Sequence, residues 1–412
     1  MADDATAVSF NPSGLAQLLR PEVSVAGRWS KRGVAYEDVV TQAGSRTLLV
    51  SDSLISHSRV EPTFLSASVP LRMGDRTLAF QLSFQRTLPL TVKDSRDLVE
   101  NAQDGTVPAR LFQSIDQQGQ IDQYSFAAAY EASERILIGV AVNLWRGVWD
   151  LDSHSQKSQG TAVSYVDVSQ GSRLEGASYN LGLLWRWPTW SLGLVQRTGF
   201  QASYRSDFSF ASRRPGKPIR TSSGSFDGGI HWPSTTSLGL AYRPMDGWLA
   251  AVDLNRTRWS KATLVQAGSS MNGLGFFDLQ RPTRTPDTTD VHVGIEHLLV
   301  TARGLVVPLR LGWSREPQPL VDRVTSSQRV MQGLSLGTGV KMGRYTLDGA
   351  YRIGWGRRYA SQFLDVDQLL TQARPTSLGD ERVREHRVEA SLILQFDRQA
   401  VERVLRHLFY GG

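Results

Sequence analysis

The sequence predicts an all-β protein, a closed transmembrane antiparallel β-barrel of about fourteen strands. Three observations carry this reading. Apolar residues recur at alternate positions from about Val23 to Phe396, no long helix interrupts them, and the connections alternate between tight turns and long polar stretches. Successive side chains of a strand point to opposite faces, so each segment is a ribbon with one apolar side and one mostly small or polar side. Short turns at one end and long loops at the other are the pattern of membrane barrels.

The first twenty residues do not alternate. Asn11-Pro12-Ser13-Gly14-Leu15 is turn chemistry, because Asn and Gly tolerate unusual φ and Pro fixes its own. The strands are then expected at 21–32, 63–73, 76–88, 120–132, 135–150, 173–187, 190–208, 231–243, 247–263, 289–301, 304–315, 328–343, 344–360 and 384–396. Between them, 33–62, 89–119, 151–172, 209–230, 264–288, 316–327 and 361–383 read as long polar loops. Leu78, Phe80, Leu82 and Phe84 alternate with Ala79, Gln81, Ser83 and Gln85, and Ile136, Ile138, Val140, Val142 and Leu144 with Leu137, Gly139, Ala141 and Asn143. The polar stripes collect Asp253, Asn255, Glu296, Arg310, Asp348, Arg352, Arg387 and Glu389. Buried charges of both signs need partners or water, so an ion-paired interior is expected. After Phe396 the period changes: Val401, Val404, Leu405, Leu408 and Phe409 share one face of a C-terminal amphipathic helix spanning residues 397–412.

Composition narrows the classes. The chain has 412 residues, 40% hydrophobic and 21% charged. No run approaches the roughly 20 apolar residues of a spanning helix. Many of the 11 Trp lie near strand ends, including Trp29, Trp145, Trp149, Trp185, Trp190, Trp248 and Trp259, which suits an aromatic girdle; packing inside a soluble β-sandwich is the competing explanation. The absence of cysteine excludes disulfides, thiol catalysis and Cys-ligated metals. The net charge of +7 is spread along the chain, with no basic block to hold nucleic acid. Met1-Ala2-Asp3-Asp4 is not a signal peptide, so the barrel reading expects a leader already cleaved or trimmed.

Chemistry-bearing motifs are few. Gly333-Leu334-Ser335-Leu336-Gly337 matches a nucleophile elbow, but an elbow needs strand, turn and helix, and this one lies within a strand. His292 and His297 are five apart in a strand and face opposite sides, so they cannot share a metal. No phosphate-binding Gly loop is present. No catalytic residues, metal site or cofactor are expected, and the protein reads as a non-enzyme.

Two stretches carry a family resemblance. Ala2-Asp3-Asp4-Ala5-Thr6-Ala7-Val8-Ser9-Phe10-Asn11-Pro12-Ser13-Gly14-Leu15 resembles the N-terminal hatch of the FadL/TodX family of outer-membrane transporters of fatty acids and other hydrophobic compounds. Trp232-Pro233-Ser234-Thr235-Thr236-Ser237-Leu238-Gly239-Leu240-Ala241-Tyr242-Arg243-Pro244 is similar to that family's mid-barrel strand, and Trp248–Trp259 to its partner. Ser13 stands where the family has Ala, the Gly-rich residues that complete its plug before Ala2 are lacking, and the chain runs on past Phe396.

The resemblance implies a plug or hatch at 1–20, incomplete or trimmed here, and a barrel at 21–396, while the helical tail at 397–412 rests on its own periodicity and departs from the family. It implies passive passage of long-chain fatty acids or other hydrophobic small molecules through the bacterial outer membrane, gated by the plug. The alternative keeps the fold without transport, as an outer-membrane scaffold or shuttle subunit of a larger complex with a protein partner. Membrane lipid and lipopolysaccharide surround the wall in either case. Asn11 and Pro12 are the gating candidates. Arg186, Arg310 and Arg352 are candidates to hold a ligand carboxylate, with pairing to Asp348, Glu296 and Glu389 as the competing role.

Overall fold

Alternating apolar side chains need two different surroundings, and the chain supplies them by closing into a ring. The computed structural model describes residues 7–36, 40–43, 46–50, 53–102, 109–266, 269–272, 286–301, 305–321, 328–359 and 380–397. The ring strands begin with β1 (Glu22–Tyr36), β2 (Ser53–Met73), β3 (Arg76–Pro89), β4 (Ala109–Glu131), β5 (Ile136–Gln159), β6 (Ala162–Arg186) and β7 (Trp190–Arg197). They continue with β8 (Thr235–Tyr242), β9 (Trp248–Thr257), β10 (Thr288–Val300), β11 (Val306–Val321), β12 (Gln328–Met342), β13 (Tyr345–Tyr359) and β14 (Asp380–Gln395). Each pairs antiparallel with the next. The last pairs with the first from Glu22↔Gln395 to Tyr36↔Glu381, so all fourteen ring strands have two neighbours.

The outer face exposes large apolar side chains, among them Leu82, Leu144, Leu181, Leu240, Leu336 and Leu392. A belt of this extent would be unstable against water and is a hydrocarbon-facing surface. The inner face buries small and polar ones such as Ala79, Gln81, Ala127, Ala141, Asn143 and Asn180. Beside two tight turns, Trp185 stacks on Trp187 with centroids 4.2 Å apart, Trp190 on Tyr242 at 4.1 Å and Trp248 on His297 at 4.3 Å, forming part of the expected girdle. Trp145, Trp149 and Trp259 do not belong to it. They join an aromatic group inside the ring, because odd-numbered positions of β5 face inward with Leu137 and Asn143.

The polar stretches read as loops hold much of the remaining sheet. The upper parts of β2, β4, β5 and β6, together with strands Val92–Ala102, Phe200–Arg213 and Arg220–Trp232, continue the ladders past the apolar belt. The outward face is polar there, and the inward face buries polar Gln113, Ser155 and Lys157 alongside Leu111 and Val166, so no continuous apolar stripe forms and the period-two signal fades although backbone pairing persists. The spans expected at 190–208, 231–243 and 247–263 are each interrupted: at Thr198–Gly199, at Pro233–Ser234, and by a 3₁₀ turn at Trp259–Lys261. Pro233 has no N–H to give the ladder. Arg258 N donates instead to Ser234 O at 3.0 Å. The C-terminal helix expected at 397–412 lies, beyond Asp397, outside the described residues.

Candidate functional site

The N-terminal segment enters the ring as a helical turn, Ala7–Phe10, followed by a 3₁₀ helix, Pro12–Gln17. Asn11 is the N-cap: its Oδ1 accepts from Ser13 N at 3.1 Å and from Ser13 Oγ at 2.7 Å, and Pro12 supplies the fixed φ that suits a first helical position. Pro12 through Ala16 are buried. Asn11 Nδ2 also donates to Leu183 O of β6 at 3.0 Å, tying the cap to the wall. Gly139 and Gly182, cross-strand neighbours on β5 and β6, explain how the segment can lie so close. A Cβ on Gly139 would collide with the backbone of Pro12 and Ser13, and one on Gly182 with Asn11 Oδ1. Glycine inside a strand marks such a close backbone approach.

Further along β5, the inner face turns aromatic. Trp149 stacks on Tyr204 with centroids 5.8 Å apart, Trp145 on Phe200 at 5.3 Å, and Trp232 lies 6.0 Å from Trp145 and 6.2 Å from Trp259. Leu90, Ile121, Leu174 and Ile230 complete the cluster. Its polar handles are satisfied: Trp145 Nε1 donates to Ser178 Oγ at 2.9 Å, and Tyr204 OH accepts from Gln170 Nε2 at 3.2 Å. The cluster gathers where β7, β8 and β9 are interrupted, so the kinked wall turns Phe200, Trp232 and Trp259 toward one another.

The opposite wall is ionic. Arg310 donates through Nε to Glu296 Oε2 at 2.7 Å and through Nη1 to Asp348 Oδ1 at 2.6 Å. Arg352 binds Glu316 and donates to Ser314 Oγ at 2.9 Å. Arg28 Nε donates to Glu389 Oε1 at 2.8 Å, and Arg387 Nη2 to Glu385 Oε2 at 2.8 Å. On the β5 side of the ring, Arg186 Nη2 donates to Glu131 Oε1 at 3.2 Å. Arg186, Arg310 and Arg352 are therefore all engaged, Arg310 with the carboxylates expected of it and the other two with different ones. The five do not converge: Asn11 and Pro12 pack against β5 and β6, Arg186 sits beside the β4–β5 turn, and Arg310 and Arg352 lie on β11 and β13.

Arg197, at the end of β7, is the exception that sequence reasoning missed. It has no carboxylate partner among the described residues. Its Nη2 donates to Ser9 O of the N-terminal segment at 2.7 Å, and its buried Nε has no hydrogen-bond acceptor. Ser9 Oγ in turn donates to Gln85 Oε1 at 3.1 Å. Phe200 of the aromatic cluster follows three residues later. Ser335 sits within β12 opposite Gly312 and Arg352, in mid-ladder rather than on an exposed elbow.

Outside the belt, Asp287 fixes the 3₁₀ turn that carries Trp259. Its Oδ1 accepts from Ser260 N at 3.1 Å and from Ser260 Oγ at 2.7 Å, and Arg256 lies 3.6 Å from Oδ2. Partial burial pushes this carboxyl upward, but the Ser260 hydrogen bonds and the Arg256 guanidinium outweigh it and hold it below the usual carboxylate value.

No family model matches the chain, and no curated protein does. Solved structures share its fold across nearly the whole length. A Pseudomonas aeruginosa FadL homologue is similar with TM-score 0.66 at 14% identity, covering 96% of this chain and 95% of that one. The Pseudomonas putida toluene transporter TodX is similar with TM-score 0.60 at 12% identity and 96% and 95% coverage. The Ralstonia pickettii toluene transporter TbuX gives TM-score 0.52 at 12% identity, covering 96% and 94%.

Proposed function

We propose that this chain is a passive channel of the Gram-negative outer membrane for hydrophobic small molecules, with residues 1–20 as its plug and hydrophobic monocarboxylates among its cargo. The observation that carries the reading is the aromatic cluster inside the ring, beside the buried N-terminal segment. Toluene transport by two of the structural neighbours fits such a chamber. An aromatic ligand that removes roughly 200 Å² from water gains about 5 kcal/mol before binding costs, enough to concentrate a sparse hydrophobe without an energy source.

Arg197 extends the reading to acids. Several luminal arginines are already paired with carboxylates, whereas among the described residues Arg197 bonds the Ser9 carbonyl and meets no carboxylate. A ligand carboxylate arriving from the aromatic cluster competes with that neutral acceptor and forms the stronger, charge-assisted bond. Losing its hold on Ser9 shifts the segment toward a released state, with Asn11 and Pro12 as the hinge and the Leu183 bond as the remaining tie. Arg186, Arg310 and Arg352 keep the wall rigid.

The test is uptake of oleate and of toluene by proteoliposomes carrying the full chain or its Arg197→Gln variant. Oleate uptake is expected to fall about tenfold in the variant while toluene uptake holds. Equal effects on both would remove Arg197 from acid recognition. Uptake of both at the rate of protein-free liposomes would end the channel reading.

A further inference from the structure

A cavity of about 910 Å³ lies outside the lumen, on the sheet beyond the apolar belt. Cross-strand pairing organises its floor into two parallel rows. One runs Lys93↔Asp116↔Asp152↔Ser169↔Ser209↔Ser223 across six strands. The adjacent row begins at Ser95↔Ser114 and ends at Ala211↔Thr221, with His154 and Asp167 paired between them. His57 of β2 also lines the cavity. Five inter-strand steps of about 4.8 Å make each row about 24 Å long, so the floor suits an elongated ligand.

The chemistry of the floor is that of hydroxyl recognition. Eight of its eighteen lining residues are Ser or Thr, each able to donate and to accept. Its charge is mostly spent internally: Lys93 Nζ lies 3.4 Å from Asp116 Oδ2, and His154 Nδ1 lies 2.5 Å from Asp167 Oδ1. Asp152, in the middle of the first row, meets no hydrogen-bond donor among the described residues, so both carboxylate oxygens face a ligand. One unspent carboxylate is too little to hold a polycation and repels a polyanion, whereas a carboxylate accepts well from paired hydroxyls. Phe112 and Tyr165 flank His154 with centroids 6.1 and 6.3 Å away, and Phe210 lines the cavity, giving apolar faces for C–H surfaces.

We propose that this cavity binds an uncharged linear oligosaccharide laid across the strands, with Asp152 as its central acceptor. The site shares its sheet face with the apolar belt: on β5, Ile136, Ile138 and Val140 lead up the same even-numbered side to Asp152 and His154. It therefore stands where a barrel wall emerges from the bilayer, within reach of either soluble glycans or the neutral sugars of a surface glycolipid. The inference does not depend on what passes through the lumen.

The experiment is calorimetric titration of the detergent-solubilised full chain with maltoheptaose and, separately, with delipidated O-polysaccharide from lipopolysaccharide. Millimolar or tighter binding of either supports the site, and which one binds identifies the source. Asp152→Ala and Ser209→Trp, the second filling the floor, are each expected to weaken binding at least tenfold, with heat-dependent gel mobility verifying that the variant barrels are folded. No heat from either sugar, or binding unchanged in both variants, overturns the proposal.

Discussion

Beneath the N-terminal segment, around Ala127, Leu137 and Ala141 of β4 and β5, the inner face is neutral and dry, whereas along β10 to β14 it is ionic and partly exposed. Ala127, Leu137 and Ala141 are completely buried, and the polar groups among them satisfy one another, as where Asn143 accepts from Ser125 Oγ at 2.8 Å and donates to Asn180 Oδ1 at 3.1 Å. Across the lumen, the Arg310 side chain keeps 43% of its exposure, and Glu296 and Asp348 keep 23% each. The difference follows the N-terminal segment. Where it packs, its backbone and the Leu15 side chain leave no room for water, so a charge there would lose hydration without recompense. Where it does not reach, water lowers the cost of charge and ion pairs knit the strands.

Substitutions on the two sides should fail differently. Gly182→Val is expected to act most strongly, because its side chain would occupy the space of Asn11 and Pro12; overpacking costs about 1–3 kcal/mol, which expulsion of the segment relieves. Single-channel conductance in planar bilayers should rise several-fold, and an unchanged conductance would show that the segment does not fill the passage. Arg310→Met leaves two carboxylates facing each other. Full burial would make that cost 3–5 kcal/mol, and partial exposure reduces it to about 2 kcal/mol, read as a lower urea midpoint with conductance little altered. Adding Asp348→Asn and Glu296→Gln should recover most of the loss, and failure to do so would show that the ion pairs are not what the wall depends on.

Asn11→Ala is expected to be milder. Removing an N-cap acceptor costs about 1 kcal/mol, so hydrogen exchange at Ser13 should quicken while the global midpoint stays put. Identical exchange in both proteins would discount the cap. The smallest effect is acid-dependent. The Asp287 carboxyl titrates lower in the folded chain than in the unfolded one, so its contribution is fully present above the unfolded value and is lost as pH falls through the folded one. Below the usual carboxylate range the turn holding Trp259 should loosen, seen as a tryptophan fluorescence change that Asp287→Asn abolishes. A transition of equal size in Asp287→Asn would place its origin elsewhere.

The legibility of the sequence tracks the surroundings of each segment. β5 was readable from Ile136 to Leu144 because hydrocarbon on one side imposes an apolar stripe. The same strand carries no such stripe from Leu151 to Gln159, because its outward side is polar and its inward side buries Ser155 and Lys157 rather than apolar residues. Position near a strand end points Trp145 and Trp149 to the girdle, but their parity with inward-facing Asn143 turns them into the lumen. Gly139 and Gly182 were visible as strand glycines, but their meaning needed the segment that docks on them. The arginines showed the limit most plainly. Arg310 could be matched to Glu296 and Asp348 by chemistry, yet Arg28 and Glu389 are 361 residues apart and meet only because the ring closes.

By itself, the sequence determined the alternation, the number of barrel strands, the closed antiparallel class and the turn at Asn11, because each follows from neighbours a few residues apart and from the solvent they must face. Which luminal arginine reaches the N-terminal segment, which tryptophans line the lumen and which polar residues align into rows beyond the belt were decided only by the tertiary structure. Those properties depend on strand register, and register is set by pairing between segments that the chain brings together only on folding.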